Sequence, residues 1–310
     1  MKAIVTGGAG FVGSNIALAL EEKGARVVIV DDFSSASFKN LHNFKGEVIA
    51  QDVNELAWEK LETPDVIFHQ AALTDTTVTD QKRMMHNNVE GFRKALRFAL
   101  ERKIRLVYAS SAGVYGNEPP PQIENGRLSP LNIYAYSKFV GDQIAMREVK
   151  NSKTPVIGLR YFNVFGLGEQ HKGTAASMVF RLAEQMRAGK RPRIFHDGEQ
   201  TRDHIYVRDV VEANLKASEA TTSGIVNVAT GKATSFNRLI EIINDVLGTH
   251  LAPDYFDNPY DFYQNSTQAD VALAQKLLGF RARYSVEEGI REYFSTLYQL
   301  KPQKAVSAKI

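Results

Sequence analysis

The strongest constraint on this chain lies near its start. Gly7-x-x-Gly10-x-x-Gly13 stands between the β-rich run Ala3-Ile4-Val5-Thr6 and a segment from Phe11 in which Ile16, Leu18 and Leu20 supply apolar helix positions before Lys23-Gly24. A strand, a tight glycine turn and a helix in that order let backbone approach a pyrophosphate and aim helix N–H groups at it. The glycines alone would serve any tight loop. However, a continuous apolar run, Val27-Val28-Ile29-Val30, then ends in Asp31, close to the spacing of about 20 residues expected for an acid that binds the adenosine ribose. Asp31 could instead cap a helix, but beside this loop it reads with Gly7, Gly10 and Gly13 as a dinucleotide site. Asp31-Asp32 would repel a 2′-phosphate and so favour NAD. Lys39, on the loop that follows, could reach such a phosphate, which leaves NADP open.

Further apolar runs at 48–50, 66–68, 106–109 and 156–161 alternate with helical patterns at 88–101 and 134–147. That alternation predicts βαβ units with right-handed crossovers, and unbroken apolar strands belong to a parallel sheet covered on both faces. After Asn163 the pattern changes: Gly166, Gly168 and Gly173 lie in a polar stretch, followed by a helix at 175–187 and short strands near 191–196, 225–229 and 252–256. The expected architecture is α/β, a Rossmann doubly wound parallel sheet with a smaller C-terminal α/β substrate-binding cap. The sheet domain takes 1–165, with segments at about 203–230 and 262–275 returning to it. The cap takes most of 166–310 and ends in a flexible tail at 302–310.

Composition removes several classes of function. With no cysteine there are no disulfides, no thiolate zinc site and no cysteine nucleophile, and no metal is expected. No apolar run reaches the roughly 18 to 20 residues needed to cross a bilayer, and Met1-Lys2-Ala3-Ile4-Val5-Thr6 does not resemble a signal peptide. A cytoplasmic protein without membrane partners is expected. A formal charge of +3 is too small to argue for nucleic acid.

The chemistry points to Tyr134-Ala135-Tyr136-Ser137-Lys138. Residues four apart share a helix face, so Tyr134 and Lys138 can address one spot. The ammonium would favour the phenolate and bring the tyrosine towards neutrality as an acid or base. Ser111 follows a strand, at the end where α/β sheets place their sites, and its hydroxyl can bond a substrate oxygen. Singly, Tyr134 would pass for a satisfied buried aromatic and Lys138 for a solvated helix face. In this order after the glycine loop, they read as catalytic.

Gly7-Gly8-Ala9-Gly10-Phe11-Val12-Gly13, Ser110-Ser111-Ala112-Gly113-Val114-Tyr115-Gly116, the Tyr134/Lys138 pair and Arg160-Tyr161-Phe162-Asn163 together resemble the extended short-chain dehydrogenase/reductases over almost the whole chain. Met84-Met85-His86-Asn87-Asn88, 169–177 and 263–270 are similar to the ADP-L-glycero-D-manno-heptose 6-epimerase branch. The resemblance implies transient oxidation of a sugar carbon, hydride transfer to a tightly bound nicotinamide and return of the hydride to the opposite face. It further implies conversion of ADP-D-glycero-D-manno-heptose to its L-glycero epimer, a step of lipopolysaccharide core biosynthesis. It assigns acid/base roles to Tyr134 and Lys172, and cofactor contacts to Phe11, Val12, Gln70, Ala71, Ala72, Asn88, Lys138 and Val164. It places Ser111, Asn163, Lys172, Thr174, Arg181, Phe195, Arg202 and Tyr263 against the nucleotide-sugar, with Arg202 as a diphosphate grip. The branch favours NADP, against the acid pair. Lys172 would serve equally well as a phosphate ligand and Arg202 as the partner of Asp203. The implied partner is a small nucleotide-sugar, in a homo-oligomer.

A UDP-hexose 4-epimerase shares the loop, the serine and the Tyr-Lys pair. A 4,6-dehydratase fits less well, since Ala112-Gly113 follow the serine where acids would be needed. A non-catalytic dinucleotide sensor would have no use for Tyr134 and Lys138.

Overall fold

The computed structural model describes residues 1–257 and 264–300. Its strands are β1 (Lys2–Thr6), β2 (Arg26–Asp31), β3 (Glu47–Ala50), β4 (Val66–His69), β5 (Arg105–Ser111), β6 (Val156–Tyr161), β7 (Asn163–Phe165), β8 (Arg193–Phe195), β9 (Thr201–Tyr206), β10 (Gly224–Val228), β11 (Ala233–Ser235) and β12 (Asp254–Phe256). Its helices are α1 (Phe11–Glu22), α2 (Gln81–Met85), α3 (Gly91–Arg102), α4 (Ile133–Glu148), α5 (Met178–Arg187), α6 (Val207–Glu219), α7 (Phe236–Leu247), α8 (Ala272–Leu278) and α9 (Val286–Tyr298).

Seven strands form one sheet in the order β10-β6-β5-β4-β1-β2-β3, and every pairing in it is parallel. The sheet is the expected Rossmann-like one, with helices on both faces. Period-2 alternation feeds two cores: along β1, Ala3 and Val5 enter one and Ile4 the other; along β2, Val27 and Ile29 part from Val28 and Val30. The first core is closed by α1, α6 and α8, the second by α3 and α4. Strand order reverses between β1 and β4, and there the ends of neighbouring strands leave a crevice.

The remaining elements form a second layer with its own core of Phe165, Val179, Leu182, Ile243 and Phe294, drawn from β7, α5, α7 and α9. Its sheets are small: β11-β9-β7 and β12-β8. The run near 225–229 does not join them. As β10 it pairs with β6 and extends the large sheet.

Two helices differ from the periodicity. The pattern at 88–101 is the second part of a longer helical segment that starts at α2, where Asp80 accepts the Arg83 N–H as N-cap, and passes through a π turn at His86–Glu90. An acidic cap ahead of polar residues carries no apolar period, so the start does not show in the spacing. The helix at 175–187 begins later, at Met178, because the Ser177 side chain caps it by accepting the Phe180 N–H. Among the described residues no helix is long and apolar enough to cross a membrane.

Candidate active site

A cleft of about 710 Å³ opens at the strand ends around the β1/β4 reversal. The glycine loop forms its floor. Gly7 sits at φ 65°, and a Cβ there would lie 2.6 Å from the Ala71 nitrogen; a Cβ on Gly13 would lie 2.1 Å from the Gly7 oxygen. Only backbone-to-backbone packing fits. No side chain caps α1, so its first N–H groups are left for an anion, and Gly7, Gly10, Phe11, Val12 and Gly13 all line the cleft. These features suit a dinucleotide pyrophosphate.

Asp31 and Asp32 also line the cleft. Asp31 is buried and accepts the Ala9 and Phe33 N–H groups, each at 2.9 Å. Burial pushes its carboxyl above the ordinary range, against the pull of those two bonds. Asp32 is exposed and accepts from the Ser34 nitrogen and hydroxyl. Lys39 stands exposed on the 3-10 turn Phe38–Leu41 and does not line the cleft.

Opposite the loop, Tyr134 and Lys138 project from α4, whose N-terminus is fixed by Asn132 accepting the Ala135 N–H at 2.8 Å. Both line the cleft, together with Ser111 from the end of β5. The Lys138 Nζ donates to the Ala109 oxygen at 2.9 Å and lies 5.9 Å from the Tyr134 ring centroid. Burial lowers Lys138 to about 8, against the attraction of Asp142 one turn further along α4. Asp142 is itself held by Arg160 at 3.0 Å and by the Tyr108 hydroxyl. The expected depression of the Tyr134 pKa is not found. Burial raises the phenol, with the nearby Ser111 hydroxyl acting against it, while the Lys138 ammonium bonds the Ala109 carbonyl.

Lys172 enters from the second layer, on the turn Gln170–Ala175 broken by Gly173 at φ 54°. Its Nζ lies 5.7 Å from the Phe11 ring centroid. Burial lowers its pKa against the pull of Glu169, a buried acid that accepts from the Ser177 nitrogen and hydroxyl. Lys172 and His171 line the same cleft as Tyr134 and Ser111.

Gln70, Ala71, Ala72, Asn163 and Val164 complete this wall. Asn163 donates to the Asp203 oxygen and to Thr267 Oγ1, each at 3.3 Å. Asn88 is buried behind the lining, where it donates to the Leu73 oxygen and to Ser137 Oγ and accepts the Leu73 N–H. It thereby braces one cleft segment against α4.

Several sequence candidates stand outside the cleft. Thr174 and Arg181 are exposed, with Ala175 lining in place of Thr174. Phe195 packs edge-on against Phe256. Arg202 is buried, donating to the Thr201 and Asn265 oxygens beside the Phe236 ring. The carboxylate of Asp203 accepts from Thr230, Gly231 and Ala269. Tyr263 lies outside the described residues.

The cleft also contains residues to which the sequence assigns no role: Asp52, Val53, Arg83 and Asn87. Asp52 and Val53 follow β3, so the strand-end rule that found Ser111 applied to them as well. Arg83 and Asn87 are four apart on the helical segment that begins before the apolar period does.

The fold and this cleft define a dinucleotide-dependent enzyme with a Tyr-Lys pair. Residues 3–229 match the NAD dependent epimerase/dehydratase family, and the chain belongs to that family. It is an NAD-dependent enzyme of the epimerase class. Its structure is similar to the Helicobacter pylori ADP-L-glycero-D-manno-heptose-6-epimerase, at 39% identity over 96% of each chain and a TM-score of 0.91. It also resembles a Methanobrevibacter ruminantium UDP-N-acetylglucosamine 4-epimerase, at 31% identity over 96% of this chain and 99% of that one, TM-score 0.90. A third similar structure is the Thermotoga maritima UDP-glucose 4-epimerase, at 29% identity over 96% and 100%, TM-score 0.88.

Proposed function

We propose that this chain epimerises a nucleotide-sugar, ADP-D-glycero-D-manno-heptose, to its L-glycero form. The observation that carries this reading is that Tyr134 from α4 and Lys172 from the second layer line one cleft. Reversing a centre requires proton transfer in two substrate orientations, and two acid/base groups from different elements supply one for each. The dinucleotide, when bound, accepts a hydride from the sugar carbon and returns it. Tyr134 takes the hydroxyl proton in one orientation as the hydride leaves, and Lys172 gives a proton to the carbonyl oxygen in the other as the hydride returns; the reverse reaction exchanges the two roles. Ser111 holds the sugar oxygen beside Tyr134. Lys138 places positive charge near the phenol in the assembled site, and Asn163 contacts the sugar. The 39% identity to a heptose epimerase supports the ADP-heptose assignment.

The cofactor in this reading is NAD. Asp31 and Asp32 stand in the cleft while Lys39, the candidate cation for a 2′-phosphate, stands outside it. The 4-epimerase alternative shares the Tyr-Lys pair but gives Lys172 no acid/base role.

The test is Lys172→Met, measured for ADP-sugar dissociation constant and turnover on the same protein. Turnover should fall roughly a hundredfold or more while binding changes little, since acid/base help is worth about 10² to 10⁴ in rate. Collapsed binding with surviving turnover at saturation would make Lys172 a phosphate ligand and favour a UDP-hexose 4-epimerase. Incubation with ADP-heptose beside UDP-galactose, read by NMR, identifies the substrate directly.

A further inference from the structure

The Lys172 turn is tied to the glycine loop by two asparagines that no catalytic reading uses. Asn15, on α1, donates from Nδ2 to the Phe11 oxygen at 2.8 Å and to the Leu167 oxygen at 2.9 Å. Asn40, on the 3-10 turn after β2, donates from Nδ2 to the Ala9 oxygen and to the Gly168 oxygen, each at 3.1 Å. The same nitrogen lies 3.3 Å from His171 Nδ1. Each amide therefore spans one carbonyl of the glycine-loop segment and one carbonyl of the segment leading to Lys172. The two carbonyl acceptors fix which end of each carboxamide faces them, because only the NH₂ end donates.

The backbone is shaped for this approach. Gly168 sits at φ 101°, and a Cβ there would lie 3.2 Å from Asn15 Nδ2 and 3.7 Å from Asn40 Oδ1. Beyond Gly168 the chain enters the Gln170–Ala175 turn, and Lys172 rests over the Phe11 ring. Ala9 and Phe11 thus meet the incoming segment on one side, while their own loop forms the cleft floor on the other.

We infer that Asn15 and Asn40 are positioning residues: they hold the Lys172 loop in register with the dinucleotide cradle and set turnover through Lys172. The inference rests on the acid/base reading of Lys172. A carboxamide is required because both acceptors are carbonyl oxygens. A carboxylate of the same size offers them no hydrogen and repels them, so Asn40→Asp keeps the volume and removes the clamp. Loss of the clamp should leave Lys172 present but misplaced, and a displacement of about 1 Å is enough to cost as much as a hundredfold in rate.

The experiment is a double-mutant cycle on cofactor-loaded enzyme with ADP-heptose as substrate: wild type, Asn40→Asp, Lys172→Met and the double variant, with Asn15→Asp as a second route to the same lesion. Asn40→Asp should lower kcat about ten- to hundredfold, with KM and cofactor affinity held within about twofold. The double variant should be no slower than Lys172→Met alone, since residues acting through one group do not add. Hydrogen exchange of the amides at 168–177 should accelerate in Asn40→Asp and Asn15→Asp. Additive losses in the cycle, or unchanged exchange at 168–177, would overturn the proposal. Full turnover in Lys172→Met would instead remove the role of Lys172 and the catalytic half of this inference with it, while the exchange data still judge the clamp by itself.

Discussion

The Lys138 ammonium points at the carbonyl oxygen of Ala109, 2.9 Å away, two residues before Ser111, which lines the cleft with Tyr134. The end of β5 therefore meets both candidate residues of α4, Lys138 through the Ala109 backbone and Tyr134 beside the Ser111 side chain. The ammonium lies 5.9 Å from the Tyr134 ring centroid in the same cleft. Their environments shift them in opposite directions, with tyrosine raised and lysine lowered to about 8.

Removing the phenol hydroxyl tests the chemistry with little disturbance to the fold. Tyr134→Phe should retain cofactor binding and melting temperature while kcat falls by roughly two to four powers of ten. Near-normal turnover would take Tyr134 out of the reaction.

The depressed Lys138 pKa has a stability consequence of definite sign. The unfolded lysine holds its proton up to about 10.4, whereas the folded one releases it near 8. Between those values the unfolded state binds more protons, so this group makes the fold more stable as pH rises from about 8 to 10.4. Relative to Lys138→Met, wild-type cofactor-free protein should gain on the order of 3 kcal/mol across that window. Denaturant melts of both proteins at pH 7.5 and pH 10.5 would show it; parallel curves would contradict it.

His204 is a second buried base, lying edge-on to both Phe165 and Phe236, with no hydrogen-bond partner for either ring nitrogen among the described residues. Burial depresses it to about 3. Its neutral form is kept at a cost that grows as pH falls below the unfolded value near 6.5, because only the unfolded histidine then takes up a proton. Exchanging it for a ring with no polar atoms, His204→Phe, should stabilise the protein by roughly 1 to 3 kcal/mol at neutral pH and by more at pH 5. A lower melting temperature in the variant at both pH values would show that the imidazole has a partner the geometry does not reveal.

Cofactor choice is decided by titrating cofactor-free protein with NAD and NADP in competition. NAD should bind more tightly, because Asp31 and Asp32 line the cleft and Lys39 does not. Tighter NADP binding would assign Arg83 or a repositioned Lys39 to the phosphate.

Sequence periodicity was most informative where one physical rule sufficed. The glycine loop, the strand ends and the Tyr-x-x-x-Lys spacing all express local geometry, and Gly7, Asp31, Ser111, Tyr134 and Lys138 meet in one cleft as that geometry requires. The substrate side was less legible. Arg181 and Phe195 look suitable by residue type, yet which residue of a short helix or strand faces inward depends on how segments distant in sequence pack, and here both stand outside the cleft. The Tyr134 pKa misled for a related reason. Spacing places a lysine near a tyrosine but does not show how deeply the phenol is buried, and burial raises it. Asn15 and Asn40 gave no signal because the carbonyls they bridge are more than a hundred residues apart in the chain.

The seventh strand of the large sheet has a consequence for how this protein can be divided. β10 and the helix before it arrive only after the chain has passed through β7, α5, β8 and β9. A fragment cut after residue 165 would hold the glycine loop, Ser111, Tyr134 and Lys138, yet leave β6 as an open edge and the face beneath α6 bare to water. The two layers are thus stitched by repeated crossings. A shuffled or transplanted half would be an unfinished sheet, so the layers are expected to be inherited, expressed and lost together.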